Sequence, residues 1–300
     1  MEPTRNARYA GACDCHVHIY EDRFPLIPNV AWVPPHSPVS AYREQVQQPL
    51  GIDRAVVVQP TGYGFDNSCT LDALAQFGNT ARGIALVAPD VADAEIARLH
   101  AGGMRGVRYM MIGGVLSWAS LEPMAARLAN ADWMVNLQLD GRTMPEHEAV
   151  LKRLPCRLVL DHNGKFLEPV APEHPSFQSL LRVLDSGRVW IKLSAPYETS
   201  KTGAPGYDDV SLLARTLAEK FPERCLWASN WPHPGRNPRP ESAPLYDLLF
   251  SWATSDDARL VAVRPQQRGY GVEVVDVRMG SIFLVAMHLD GIGAGGGGCR

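Results

Sequence analysis

The fold pattern begins at Cys13-Asp14-Cys15-His16-Val17-His18, a short apolar run that ends in two histidines two residues apart. Side chains alternate between faces along a β-strand, so this run predicts a strand with His16 and His18 on the same face. Two histidines that face water from an edge strand are an alternative interpretation at this point. Polar groups at the ends of later strands favour an active-site strand instead.

Seven further apolar runs follow, and each predicted strand is followed by a predicted helix. The predicted strands span residues 13–18, 54–59, 83–87, 106–109, 134–139, 157–161, 189–193 and 225–229. The predicted helices span residues 40–50, 66–77, 93–101, 121–129, 145–154, 177–184, 208–220 and 246–253. Eight strand–helix units predict an α/β protein with a single (β/α)8 TIM barrel. A doubly wound open sheet is the second interpretation, but no glycine-rich phosphate turn opens the first helix.

The pattern divides the chain into a barrel domain, residues 1–271, and an atypical tail, residues 272–300. The first part of the tail, residues 272–289, is apolar and rich in valine and isoleucine. The chain ends with a glycine run that cannot form a packed element. No function is assigned to the tail.

The composition excludes several classes of partner. With 46% hydrophobic residues over 300 positions the chain can bury a large core. The formal net charge is -3 and there is no basic run, which argues against nucleic acid and anionic membranes as partners. No apolar stretch reaches the ~20 residues of a membrane span, and the N-terminus lacks the apolar core of a signal peptide. Six cysteines without a paired framework are typical of a reducing cytoplasm, which is the predicted location.

Polar side chains stand at or just beyond the carboxyl ends of the predicted strands, which meet at one open end of a barrel, its mouth. A guanidinium in this position, Arg108, suits bidentate binding of a carboxylate, although an ion pair with an acidic neighbour is an alternative. Asp161 directly precedes His162, so strand alternation lets only one of them face the mouth, and His162 is preferred. The candidate site residues are His16, His18, Gln59, Tyr63, Asn67, Arg108, Gln138, His162, Lys165, Tyr197, Glu198, Asn230 and His233.

Three motifs resemble those of the amidohydrolase superfamily. They are Asp14-Cys15-His16-Val17-His18, Asp161-His162-Asn163-Gly164-Lys165 and Trp231-Pro232-His233-Pro234. The similarity extends over roughly residues 11–253. It implies a (β/α)8 barrel, and it implies an enzyme of a branch that converts lactones without a metal ion or other cofactor.

One departure from the hydrolases of that branch concerns the end of the eighth strand. They carry an aspartate there that serves as general base for water, whereas this chain has Asn230. An amide cannot accept a proton near neutral pH, so this route to water activation is lost. Lactone isomerases of the same branch have asparagine at this position, and this chain resembles them. The predicted substrate is a small carboxylate-bearing lactone of the sugar-diacid or muconolactone type. The reaction is either isomerisation or ring opening by water with His233 or Glu198 as a substitute base, and the oligomeric state is left open.

The resemblance and the chemistry together assign hypothetical roles. His16, His18 and His162 would polarise the lactone carbonyl and stabilise an oxyanion, and Arg108 would bind the carboxylate. Glu198 or His233 would carry the proton. The residues predicted as catalytic are His16, His18, His162, Asn230 and His233. The residues predicted to bind substrate are Gln59, Tyr63, Asn67, Arg108, Gln138, Lys165, Tyr197 and Glu198.

Two alternatives to a metal-independent lactone enzyme remain open from the sequence. In the first, His16, His18 and His162 hold zinc in a hydrolase, since three ligands and water make a catalytic zinc site. Asn230 would then be a poor fourth ligand and would supply no base. In the second, the barrel binds small carboxylates without catalysis.

Overall fold

The structure, a computed structural model, describes residues 9–30, 32–114 and 116–263. Within these residues eight strands form one parallel sheet in sequential order from β1 to β8. The strands are β1 (Cys13–Val17), β2 (Arg54–Val58), β3 (Ala81–Ala85), β4 (Met104–Met110), β5 (Met134–Gln138), β6 (Arg157–Leu160), β7 (Val189–Leu193) and β8 (Cys225–Trp227). The predicted (β/α)8 barrel is confirmed.

The sheet closes between β1 and the residues that follow β8. The backbone N–H of Asn230 donates to the carbonyl oxygen of His16 over 3.0 Å, and that of His18 donates to Trp231 over 2.8 Å. The Ser229 N–H donates to the buried Asp14 carboxylate over 2.9 Å. These bonds make the last strand's extension part of the barrel wall beside the two histidines.

Helices separate the strands in the described part of the chain. The first helical segment covers residues 39–50, with a π-helical stretch at Arg43–Gln47. The other helices are Ser68–Phe77, Asp93–Ala101, Trp118–Asn130, Met144–Arg153, Pro175–Asp185, Asp208–Lys220, Ser242–Trp252 and Ser255–Val263.

The predicted element bounds agree with these to within a few residues, and two differences have physical reasons. The helix predicted over 246–253 starts at Ser242, because a proline at position 244 is tolerated in the first helical turn. The helix Ser255–Val263 was not predicted. Its Ala258, Val261 and Ala262 are fully buried small or branched side chains, too few to give a clear helical period.

Alternation along the strands gives the barrel two apolar layers. One layer lies between the sheet and the helices, and the other fills the barrel interior with residues such as Cys13, Cys15 and Val159. The register of β1 shifts by one residue between Asp14 and Val17. This bulge keeps Cys15 in the interior and turns Val17 to the outer layer, so His16 and His18 both reach the mouth.

No helix in the described ranges is both long and apolar enough to cross a membrane. The predicted domain boundary at residue 271 and the predicted tail, residues 272–300, lie outside the described residues. The division into barrel and tail therefore stays a prediction.

Candidate active site

The two histidines of β1 contact each other at the mouth, as the sequence predicted. The Nε2 atoms of His16 and His18 lie 3.1 Å apart. The Nδ1 atom of His18 lies 2.7 Å from the carbonyl oxygen of Val58. A carbonyl only accepts, so the proton of a neutral His18 is on Nδ1, and its bare Nε2 accepts from the Nε2–H of His16.

His162 joins this pair from the end of β6. Its ring centroid lies 5.0 Å from that of His16, and its Nδ1 atom lies 2.8 Å from the hydroxyl of Ser194, just beyond β7. Its Nε2 atom makes no hydrogen bond to any other described residue, so it is available to a ligand. The three predicted histidines are thus brought together.

The prediction that only one of Asp161 and His162 faces the mouth is wrong. The Asp161 Oδ1 atom lies 3.3 Å from His16 Nδ1, while the His162 ring lies tilted by 46° against the same ring. Strand alternation does not apply, because β6 ends at Leu160 and the next residues form a tight turn. His162 has φ 53° and Asn163 has φ 55°, values that rotate successive side chains to the same side.

Lys192 and Asn136, which the sequence analysis did not select, complete this cluster from inside the barrel. The Lys192 Nζ atom lies 3.0 Å from both His16 Nδ1 and Asp161 Oδ1, and it donates to Asn136 Oδ1. Asn136 Nδ2 donates to both Asp161 oxygens at 2.9 Å. The available sequence signal was a single charged residue inside the apolar strand β7. It was overlooked because it precedes the strand end.

Burial sets the ionisation of the cluster. It lowers the pKa of His18 to about 3 and that of His162 to about 4, and it lowers the pKa of His16 well below its usual range, helped by Lys192. Burial alone would raise the pKa of Asp161, but the Lys192 ammonium and His16 lower it well below the usual value. At neutral pH the site therefore holds three neutral imidazoles beside an ionised carboxylate.

Arg108 supplies a positive charge at the same mouth. Its side chain is buried, its Nη1 donates to the Gln59 carbonyl oxygen over 2.9 Å, and its Nε has no partner. Among the described residues no carboxylate forms an ion pair with it. A buried guanidinium with unused donors favours an anionic ligand, because such a group is costly to leave unpaired.

A second polar cluster comes from the turns after β6, β7 and β8. Lys165 Nζ forms an ion pair with Glu198, and Asn230 Nδ2 donates to Glu198 over 3.1 Å. Burial opposes ionisation of Glu198, but His162 and Lys165 keep the pKa of this carboxyl below its usual value. The Lys165 and Glu198 side chains are 15% and 14% exposed, so a ligand in the mouth can reach them.

Tyr197 connects Asn230 to His233. Its hydroxyl accepts from Asn230 Nδ2 over 2.9 Å and lies 2.9 Å from His233 Nδ1. The other ring nitrogen, His233 Nε2, lies 3.1 Å from the hydroxyl of Ser242. Burial lowers the pKa of His233 to about 4. Both His233 nitrogens are engaged by protein groups, so this imidazole acts on a ligand only through Tyr197.

Three predicted substrate-binding residues use their polar atoms to brace loops. The Gln59 amide bonds to Gly64, Asp66 and Thr70 in the loop and helix after β2. Asn67 bonds to the backbone of Phe65 and Leu86, and the Tyr63 hydroxyl bonds to Glu21.

Gln138 differs from these three residues. It is buried at the end of β5, and its amide bonds to no other residue in the described ranges. The roles of all four in substrate binding stay predictions.

The profile of the amidohydrolase family matches residues 13–260, well over half of the chain. The chain belongs to the amidohydrolase family. This amidohydrolase is 32% identical over 254 residues to the D-galactarolactone isomerase of Agrobacterium fabrum, covering 83% of this chain and 87% of that protein. It is also 32% identical over 254 residues to the 2-pyrone-4,6-dicarboxylate hydrolase of Comamonas testosteroni, covering 80% and 83%. A crystal structure from Agrobacterium tumefaciens, without ligand, superposes with a TM-score of 0.79 at 33% identity, covering 84% and 92%.

A metal ion does not fit this amidohydrolase cluster as it stands. His16, Asp161 and His162 each offer a ligand atom, and these atoms lie within 4.8 Å of one another. The Lys192 ammonium, however, contacts the ligand atoms of both His16 and Asp161 at 3.0 Å. A divalent cation on those two residues would lie beside an unscreened like charge.

Proposed function

We propose that this amidohydrolase converts a lactone that carries a carboxylate, without a metal ion, by moving the acyl group to another hydroxyl of the same molecule. The observation that carries the proposal is the buried Arg108 guanidinium, which has no carboxylate partner among the described residues and lies at the mouth with three neutral histidines. The isomerase and hydrolase relatives, whose names specify a lactone or a pyrone dicarboxylate, support the substrate class.

The rearrangement requires the protein to orient the lactone and to stabilise the negative charge that forms on its carbonyl oxygen. Arg108 binds the carboxylate and so orients the lactone ring. When a substrate hydroxyl attacks the carbonyl carbon, the carbonyl oxygen accepts a hydrogen bond from His162, whose Nε2 has no partner among the described residues, and the bonded His16–His18 pair lies beside it. The ring C–O bond then breaks, and the proton of the attacking hydroxyl passes to the released ring oxygen. Because nucleophile and carbonyl belong to one bound molecule, little base strength is needed.

Glu198 is the proposed proton carrier. Its carboxylate stays ionised, is partly exposed to the mouth, and is held in place by Lys165 and Asn230. His233 serves in second place, because it reaches the mouth only through the Tyr197 hydroxyl.

Ring opening by water is the second candidate function, and the same ionised Glu198 favours it, since this carboxylate could accept a proton from water. The Asn230 side chain offers no such base. Its amide group is committed to Tyr197 and Glu198 through Nδ2.

Proton NMR of the purified chain with a panel of sugar-diacid lactones and muconolactones tests the proposal. The samples should be metal-depleted and contain a chelator. We expect an isomeric lactone as product, and a ring-opened diacid would select the second candidate. Binding without any product would support a silent carboxylate-binding barrel. Turnover lost on chelation and restored by zinc would support a zinc hydrolase and contradict the proposal.

We further propose a cytoplasmic location with a small-molecule lactone, not nucleic acid, as the partner. In the described ranges Cys13, Cys15, Cys69, Cys156 and Cys225 are free and buried. Unpaired buried thiols are typical of proteins in a reducing compartment.

A further inference from the structure

We propose that Lys192 is a built-in cation that takes the place of a divalent metal in the cluster of His16, Asp161 and His162 and fixes the proton of His16 on Nε2. Lys192 is a positioning residue in this proposal. It does not face the substrate, because its ammonium lies beneath His16 on the interior side of the barrel.

The contacts of Lys192 identify its charge state. Its Nζ atom is surrounded by His16 Nδ1 and Asp161 Oδ1, both at 3.0 Å, and by Asn136 Oδ1. The orientation of the Asn136 amide follows from its Nδ2, which donates to both Asp161 oxygens at 2.9 Å. Three acceptors match the three N–H groups of an ammonium. The fully buried Lys192 therefore carries its charge inside the barrel.

A chain of hydrogen bonds joins the Val58 carbonyl to Lys192 through His18 and His16, and the donor in each bond can be assigned in turn. His18 donates from Nδ1 to Val58 and must accept at Nε2, 3.1 Å from His16 Nε2. His16 therefore carries its proton on Nε2 and presents a bare Nδ1, to which Lys192 donates. The ammonium and the Val58 carbonyl thus specify the same tautomer from opposite ends.

Removal of the Lys192 charge should reverse this arrangement. His16 Nδ1 lies 3.3 Å from Asp161 Oδ1, and without the ammonium these atoms can bond only if the proton moves to Nδ1. The Nε2 atoms of His16 and His18 would then face each other as two lone pairs beside a carboxylate without a counter-ion. Imidazole nitrogens and a carboxylate are preferred ligands of zinc and of its spectroscopic substitute cobalt.

Two readouts test the proposal, and neither requires turnover. The first is the tautomer of His16 in protein labelled with 15N-histidine, assigned by the loss of its signals in His16→Gln. The second is the cobalt(II) absorption spectrum during titration with the metal alone. Both are recorded for the parent chain, for Lys192→Met, and for Lys152→Met, a matched control whose side chain is 43% exposed.

We expect Nε2–H for His16 in the parent and in Lys152→Met, with no tetrahedral cobalt spectrum in either. In Lys192→Met we expect Nδ1–H and a gain in cobalt affinity of at least ~100-fold, because a neighbouring charge is removed from a water-poor site. The double variant Lys192→Met/Asp161→Asn should lose that gain. Lys192→Gln, which keeps a polar group against Asn136, serves the same purpose if Lys192→Met is insoluble.

An Nδ1–H tautomer in the parent would overturn the proposal, whatever the variants do. Equal cobalt affinity in the parent and Lys192→Met would also overturn it. The catalytic consequence, that His16 stays neutral and holds His18 in place beside His162 at the lactone carbonyl, rests on the proposed function. If the parent chain turns over no lactone, the proposed function fails while the tautomer and the metal affinity still decide the role of Lys192.

Discussion

The Asn230 amide donates to the Glu198 carboxylate over 3.1 Å, so this residue, three positions beyond β8, is held against an ionised acid. An aspartate at position 230 would place two carboxylates at contact distance. Two such groups cannot both ionise easily, so one of them keeps a proton to a higher pH. This contact determines how the site would respond to gaining a general base.

We expect Asn230→Asp to raise the rate of ring opening by water about 100-fold, the usual contribution of a general base. The gain should increase with pH, since only the ionised pair can accept a proton and the like charge raises the pKa of one member. The measurement is kcat for ring-opened product by NMR across pH 5 to 9. Asn79→Asp, an exposed position, is the control. No more ring-opened product than the parent gives at saturating lactone would remove Asn230 as the residue that withholds hydrolysis.

Arg108→Met should raise KM about thirtyfold or more for an anionic lactone, because a charge-assisted bond worth ~2 kcal/mol is lost. The change should leave thermal stability unaltered or raise it, since it removes a buried guanidinium that pairs with no carboxylate among the described residues. Arg105→Met, on the same strand but partly exposed and bonded to backbone carbonyls, is the matched control. An unchanged KM and kcat in Arg108→Met would exclude this residue from the site.

The features that could be predicted from the sequence are those that strand periodicity and motif spacing determine. The eight strands were located from apolar runs, and His16, His18 and His162 were placed at one mouth because strand ends meet there. Prediction from the sequence failed where the backbone leaves the regular strand. Strand alternation led to the choice of His162 over Asp161 as the residue that faces the mouth. The left-handed turn at His162 and Asn163 instead brings the side chains of Asp161 and His162 to the same side. Lys192 and Asn136 were missed because pairing across the barrel interior joins residues far apart in the chain.

Asp14 should make stability depend on pH. Burial raises its pKa to about 6 from 3.8, although hydrogen bonds from Ser229, His16 and Tyr42 oppose the rise. Between pH 4 and 6 the folded chain therefore binds more protons than the unfolded chain. The free energy of unfolding should fall by on the order of 3 kcal/mol from this group as the pH rises through that range, and stay constant above it.

Asp14→Asn should remove this component. Relative to the parent, its free energy of unfolding should increase between pH 4.5 and 7, as measured by urea denaturation at several pH values. Asp185→Asn, at an exposed position, is the control and should run parallel to the parent. A difference between Asp14→Asn and the parent that does not change with pH would contradict the expectation.

Two truncations separate the barrel from the predicted tail. A stop after residue 271 should leave a folded and active chain, since the strand–helix units are complete before it. A stop after residue 254 removes the helix Ser255–Val263, whose Ala258, Val261 and Ala262 pack into the core, and should lower Tm markedly. The measurement is the melting curve of each truncated chain, compared with that of the whole chain. An insoluble product from the stop after residue 271 would contradict the expectation that the barrel folds without residues 272–300.

The seam between β1 and the residues after β8 has a consequence for how the enzyme is made. His16 and His18 leave the ribosome early, whereas Asn230 and Trp231, which bond to them, are synthesised some two hundred residues later. Nascent chains that stop short of the seam lack one wall of the site and expose an unpaired β1 edge. Activity should consequently appear only after Asn230 and Trp231 have left the ribosome and docked on β1, and until then the open edge of β1 is a site for aggregation or chaperone capture.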